Sequence, residues 1–91
     1  MIQYIAKAIR MKKNCQNSYY LIEIDEIKLS DDNWYRKEAL HDYLQKYPGS
    51  IRVRSINGPE VLPAKSIYGE KYVKSAPNST LNDNLLSLPR E

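Results

Sequence analysis

Only one stretch of this chain repeats its apolar residues with a helical period, and it sits among segments that alternate like strands. Ala39, Leu40, Tyr43, Leu44 and Tyr47 recur at helical spacing from Trp34 onward, with Glu38 and Asp42 four apart on the other side. Ser30-Asp31-Asp32-Asn33 ahead of them are helix-start residues, and their carboxylates suit the positive end of a helix dipole. Pro48-Gly49 stops the helix. A lone helix cannot bury its stripe against another helix, so a sheet has to receive it.

The flanking segments supply that sheet. Ile2 to Met11 sets Tyr4, Ala6 and Ala8 against Ile5 and Ile9, apolar on both faces as in a central strand. A polar connection, Lys12 to Ser18, leads into Tyr19 to Lys28, with Tyr20, Ile22 and Ile24 opposite Glu23 and Asp25. After Asp25-Glu26 the apolar phase slips to Ile27 and Leu29, the mark of a bulge or a strand end. Beyond the helix, Ser50 to Ile56 alternates Ile51 and Val53 with Arg52 and Arg54, and Asn57-Gly58-Pro59-Glu60 turns. Val61 to Tyr68 contains Pro63, hence an edge or irregular strand, and Lys71 to Ser75 is a last short one. The order β-β-α-β-β-β predicts an α+β fold: a single small antiparallel or mixed sheet with one helix packed on a face.

At 91 residues the chain reads as a single domain, 1–91. Its core must come from aliphatics and eight tyrosines, since there is no Phe. Four leucines, Leu81, Leu85, Leu86 and Leu88, recur between Pro77 and Pro89, so segment 76–91 is expected to dock on the domain. The polar set among them, Asn78, Ser79, Thr80, Asn82, Asp83 and Asn84, is read as turn and backbone repair ahead of a ligand rim.

Three features fall in one order: Trp34 before a Lys37-Glu38 helix; Gly69-Glu70-Lys71-Tyr72-Val73-Lys74-Ser75; and Pro77-Asn78-Ser79-Thr80 running into Asp83-Asn84-Leu85-Leu86-Ser87-Leu88-Pro89. In this the chain resembles a family of small prokaryotic and phage proteins catalogued as domain of unknown function 3892. It departs from that pattern at Lys74-Ser75, where the family has Arg-Thr, and at Asn78, where it has Asp. The resemblance implies a fold and a prokaryotic or phage source, and carries no catalytic residues over.

The residue inventory argues against an enzyme. One cysteine, Cys15, and one histidine, His41, build no disulfide, thiolate metal site or nucleophile–base set, so no metal and no cofactor is expected. Cys15 is expected exposed in the first turn, and His41 at the core boundary beside a carboxylate. Glu23 and Asp25 share a strand face where a raised pKa is conceivable, but no basic partner completes an acid/base pair. Lys7 and Arg10 interrupt the apolar start, so neither a signal peptide nor a membrane span is expected, and the location is read as cytoplasmic.

Net charge is +3 and the pI about 9.0, which permits an anionic partner without demanding one. Arg52 and Arg54 project from one strand, with Lys71 and Lys74 on an expected neighbour and Tyr68 and Tyr72 among them. Trp34 reads first as a staple between helix and sheet, and second as a stacking surface. The functional reading is a non-enzymatic binding or inhibitory protein that docks a macromolecule, first of all a protein, through this basic, tyrosine-bearing face. The alternatives are a nucleic-acid-binding module on the same face and an oligomer that sequesters a small anionic ligand.

Overall fold

The computed structural model describes residues 3–18, 20–76 and 84–91, the side chains of Asn84 and Ser87 excepted. The expectations that rest on Ile2, Tyr19 and residues 77–83, including most of the terminal polar set and Leu81, lie outside the described residues. The fold is α+β. Strands β1 (Tyr4–Met11), β2 (Ile24–Leu29) and β3 (Trp34–Arg36) precede helix α1 (Lys37–Lys46). Strands β4 (Ile51–Val53), β5 (Val61–Lys65) and β6 (Lys71–Ser75) follow.

Four strands make a mixed sheet in the order β3-β2-β1-β4, and β5 and β6 form a separate antiparallel ladder. β1 is central, antiparallel to β2 and parallel to β4. A parallel neighbour requires a long crossover, which here holds β2, β3 and α1. A bridge between Arg52 and Glu60 links β4 to the start of β5. Among the described residues β5 pairs with β6 alone, an edge position that accommodates Pro63 opposite Val73 without interrupting the strand.

The phase slip read at Asp25 is a bulge. Arg10 pairs with Glu26 and Met11 with Ile24, so Asp25 is the extra residue; a second shift between Ala6 and Ala8 makes Lys7 extra on β1. The result is that Ile24, Ile27 and Leu29 all face inward and are buried.

Two expected boundaries move, for one physical reason. Leu21–Glu23 is a 3-10 turn, so the strand begins at Ile24 instead of Tyr19. The Ser18 hydroxyl bonds the Glu23 carboxylate and accepts the Tyr20 amide, curling the chain before it can extend. Ser30 to Asn33 closes a β2–β3 hairpin instead of starting the helix. The Asp31 carboxylate accepts the Asn33 amide at 3.1 Å, Asp32 takes φ 66°, and the Leu29 amide donates to the Asn33 carbonyl. Short polar side chains that cap helices also fold turns. Trp34-Tyr35-Arg36 thereby joins the sheet, and α1 begins only at Lys37.

α1 and the β5–β6 hairpin lie side by side on one face of the four-stranded sheet. Leu40 and Leu44 from the helix, Val61 and Val73 from the hairpin, and Ile9, Ile27, Ile51 and Val53 from the sheet share one core. Leu85 and Leu88 complete it from the 3-10 turn Asn84–Ser87 and the residue after it. Past them the chain runs along β1, where the Ile9 amide donates to the Pro89 carbonyl at 2.9 Å and the Glu91 amide to the Ile9 carbonyl at 3.0 Å. Among the described residues no helix is long and apolar enough to cross a membrane.

Candidate docking face

The side of the four-stranded sheet turned away from α1 is where charge collects. Residues directly opposite across a ladder share a face. The register therefore lines up Arg10, Glu26 and Arg36 in one row and Ala8, Lys28 and Trp34 in the next. Ile5 and Arg52 form a third row toward β4. None of these side chains belongs to the core cluster. The bulge at Lys7 keeps the outward set in register while Ile9 and Met11 stay inside.

Trp34 anchors this face. The Arg10 guanidinium lies 4.1 Å from its ring centroid and reaches the Glu26 carboxylate at 3.1 Å. A guanidinium held between a ring and a carboxylate has already lost its rotamer freedom, so a partner does not have to order it. Arg36 stands beside Asp25 at 4.0 Å and Glu38 at 3.5 Å, and Lys7 bonds Asp32 at 3.2 Å. Arg52 donates to the Gly58 carbonyl at 3.2 Å, and its buried Nε has no acceptor among the described residues.

The residues singled out from sequence are divided by the fold. Trp34 and Arg52 do share the outward face, but from opposite edge strands, three strand spacings or about 14 Å across the sheet and in different rows. Trp34 is therefore no staple beneath the helix. Arg54 follows β4 with φ 69° in an exposed turn. Lys71, Tyr72 and Lys74 lie on β6, which pairs with β5 and not with β4. Lys71 bonds Asp42 of the helix at 2.9 Å, Tyr72 is half-buried, and Tyr68 projects from the hairpin tip, 91% exposed. Arg10, Lys28 and Arg36 escaped the sequence reading. Their common face depends on the pairing of three strands, and alternation within a single strand does not report that.

The other candidates resolve into structural roles. Lys37 is 1% exposed; its ammonium bonds the Ile22 carbonyl and the Glu70 carboxylate, and Lys12 reaches the same carboxylate at 2.8 Å. Lys12 first and Lys37 second hold the Glu70 carboxyl down at about 2. Glu23 and Asp25 do not share a strand face, and Glu23 is lowered, mainly by the Ser18 hydroxyl. Cys15 is half-buried instead of exposed; its thiol donates to Glu23 at 3.3 Å, which raises its pKa and blunts it as a nucleophile. His41 is buried at 2% with Nδ1 3.2 Å from Asp42, whose carboxyl is lowered by Lys71 first and His41 second. Among the described residues no three His, Cys, Asp or Glu side chains gather to hold a metal.

The model of the family described as Protein of unknown function (DUF3892) matches residues 7–89. No curated protein and no solved structure matches the chain.

Proposed function

The chain belongs to the DUF3892 family of proteins of unknown function, and from its own surface we propose that it is a non-enzymatic binding module that docks a protein of mixed surface charge through the outward face of its four-stranded sheet. The observation that carries this reading is the Trp34–Arg10 stack, with Arg36 and Lys28 in the adjoining positions. Tryptophan and arginine are the residue types that most often dominate interface energetics.

Carboxylates interleave with these cations: Glu26 on Arg10, Asp25 and Glu38 on Arg36, Asp32 on Lys7. A phosphate backbone running over the face would meet those anions, whereas a protein surface of mixed charge matches them. That favours protein over nucleic acid. A prokaryotic or phage source belongs to the same reading, resting on the family resemblance, as does a cytoplasmic setting, resting on the lone thiol; an inhibitory role would follow from the docking itself.

The test is capture of a partner by the wild-type protein and by Trp34→Ala and Arg10→Ala, both at solvent-facing positions. A protein held by the wild type and lost by each variant, at a cost of about thirtyfold in affinity, supports the reading. Equal recovery by all three sinks it. Recovery that vanishes with nuclease and falls steeply with salt replaces the protein partner with nucleic acid.

A further inference from the structure

Where α1 crosses the ends of β1, β2 and β3 there is a cavity of about 230 Å³, lined by Tyr4, Leu29, Tyr35, Ala39, Leu40 and Tyr43. It lies on the helix side of the sheet, away from the Trp34 face, and does not depend on the docking reading. Tyr4 and Tyr43 meet edge to face, their planes 75° apart and their centroids 6.2 Å apart, so they form two walls of a corner. Tyr35, from β3, is a third aromatic wall. Leu29, Leu40 and Ala39 supply the apolar remainder.

None of the six lining residues carries a charge, yet an anion stands next to one wall. The Tyr35 hydroxyl donates to the exposed Asp31 carboxylate. A phenol that donates to a carboxylate becomes more electron-rich, and the face of any such ring is the negative end of its quadrupole. The aromatic stripe continues outward from Tyr43 to Tyr47, centroids 5.0 Å apart, and the Lys46 ammonium lies 5.6 Å from the Tyr47 ring centroid. The stripe thus already draws a cation at its outer end.

The chemistry selects among cations. An unmodified ammonium would give up its hydrogen bonds to water for a wall with few acceptors, at a prohibitive desolvation cost. An alkylated ammonium has no such bonds to lose and presents methyl groups to Leu29, Leu40 and the ring faces. Size agrees, since an apolar cavity of about 150 Å³ already admits a benzene ring. We propose that this cavity binds a quaternary ammonium head group, held by the faces of Tyr4, Tyr35 and Tyr43 and by the charge of Asp31.

The experiment is an NMR titration of the folded protein with tetramethylammonium, choline, trimethyllysine and the neutral carbon isostere of choline. The cations are expected to shift the signals of Tyr4, Tyr35 and Tyr43 and to bind about tenfold more tightly than the isostere. Whether choline or trimethyllysine binds better assigns the head group to a free molecule or to a modified side chain. Asp31→Asn, an exposed change that leaves the core intact, and Tyr35→Leu are each expected to weaken the cations about threefold to tenfold. Asp31→Asn should leave binding of the isostere unchanged, and Tyr35→Leu, which removes a wall, should weaken the cations more than the isostere. Equal affinity for cation and isostere, shifts confined to other residues, or no saturable binding would overturn the proposal.

Discussion

Glu70 shows how much a single side chain decides here. It leaves the hairpin tip to serve Lys37, whose ammonium is buried beneath it, and Lys12 at the surface. Removing one partner of a buried charge is costly, while removing the buried charge itself is not. Glu70→Gln is therefore expected to destabilise the protein by about 2–3 kcal/mol, at the low end of such cases because Glu70 is partly exposed. Lys37→Met should cost about 1 kcal/mol or less, since Lys12 still satisfies Glu70. Urea unfolding of both variants checks the asymmetry; an equal loss from the two would refute it. The pH dependence follows from the lowered folded-state pKa. With a value of about 2 against an ordinary 4.5, Glu70 contributes stability that is complete above 4.5 and is lost as pH falls toward 2. The gap between wild type and Glu70→Gln should close across that window and stay constant above it, as urea midpoints at stepped pH would show.

Among elements, the turn from β4 to β5 and the closing segment carry the clearest demands. At Gly58 an added Cβ would stand 1.8 Å from the Val53 carbonyl oxygen, so the backbone itself would have to shift. Gly58→Ala is expected to cost more than about 2 kcal/mol, read as a lowered urea midpoint, although alanine is otherwise the mildest replacement for glycine. The closing segment contributes Leu85, wholly buried, and supplies both hydrogen bonds of the Ile9 backbone on that edge. Leu85→Ala should lose about 2–4 kcal/mol, whereas Leu86→Ala, at a half-buried position, should lose markedly less. Comparable thermal shifts for the two would mean that the segment does not pack as described. The helical stripe, the bulge at Asp25 and the edge placement of Pro63 were legible because each rests on local periodicity or on a missing donor. The start of the helix was not. Asp31, Asp32 and Asn33 satisfy backbone groups equally well at a helix entrance and in a hairpin turn, and β2 decided between them by pairing with Trp34 to Arg36.

At the scale of the whole molecule, two layers leave two unlike surfaces. The core lies between the sheet and the helix–hairpin layer, so the far face of the sheet is given over to charge and Trp34, while the tyrosines gather where α1 crosses the strand ends. The basic set drawn from the sequence assumed that β6 lies beside β4. The fold instead pairs β6 with β5 and turns Lys71 toward Asp42, so Arg52 shares its sheet face with neither Lys71 nor Lys74 and bonds the Gly58 carbonyl.

The order of residues alone settled what recurs within a few positions: which stretches extend, which one coils, where the phase slips, and which leucines need covering. Apolar spacing acts locally and leaves its period in the chain. Tertiary pairing decided everything that joins distant positions, such as Lys37 with Glu70, Tyr4 with Tyr43, and Arg10 with Trp34. A charge or a ring carries no period that names its partner. It acquires one only when burial of the apolar faces has brought the strands and the helix into a single register.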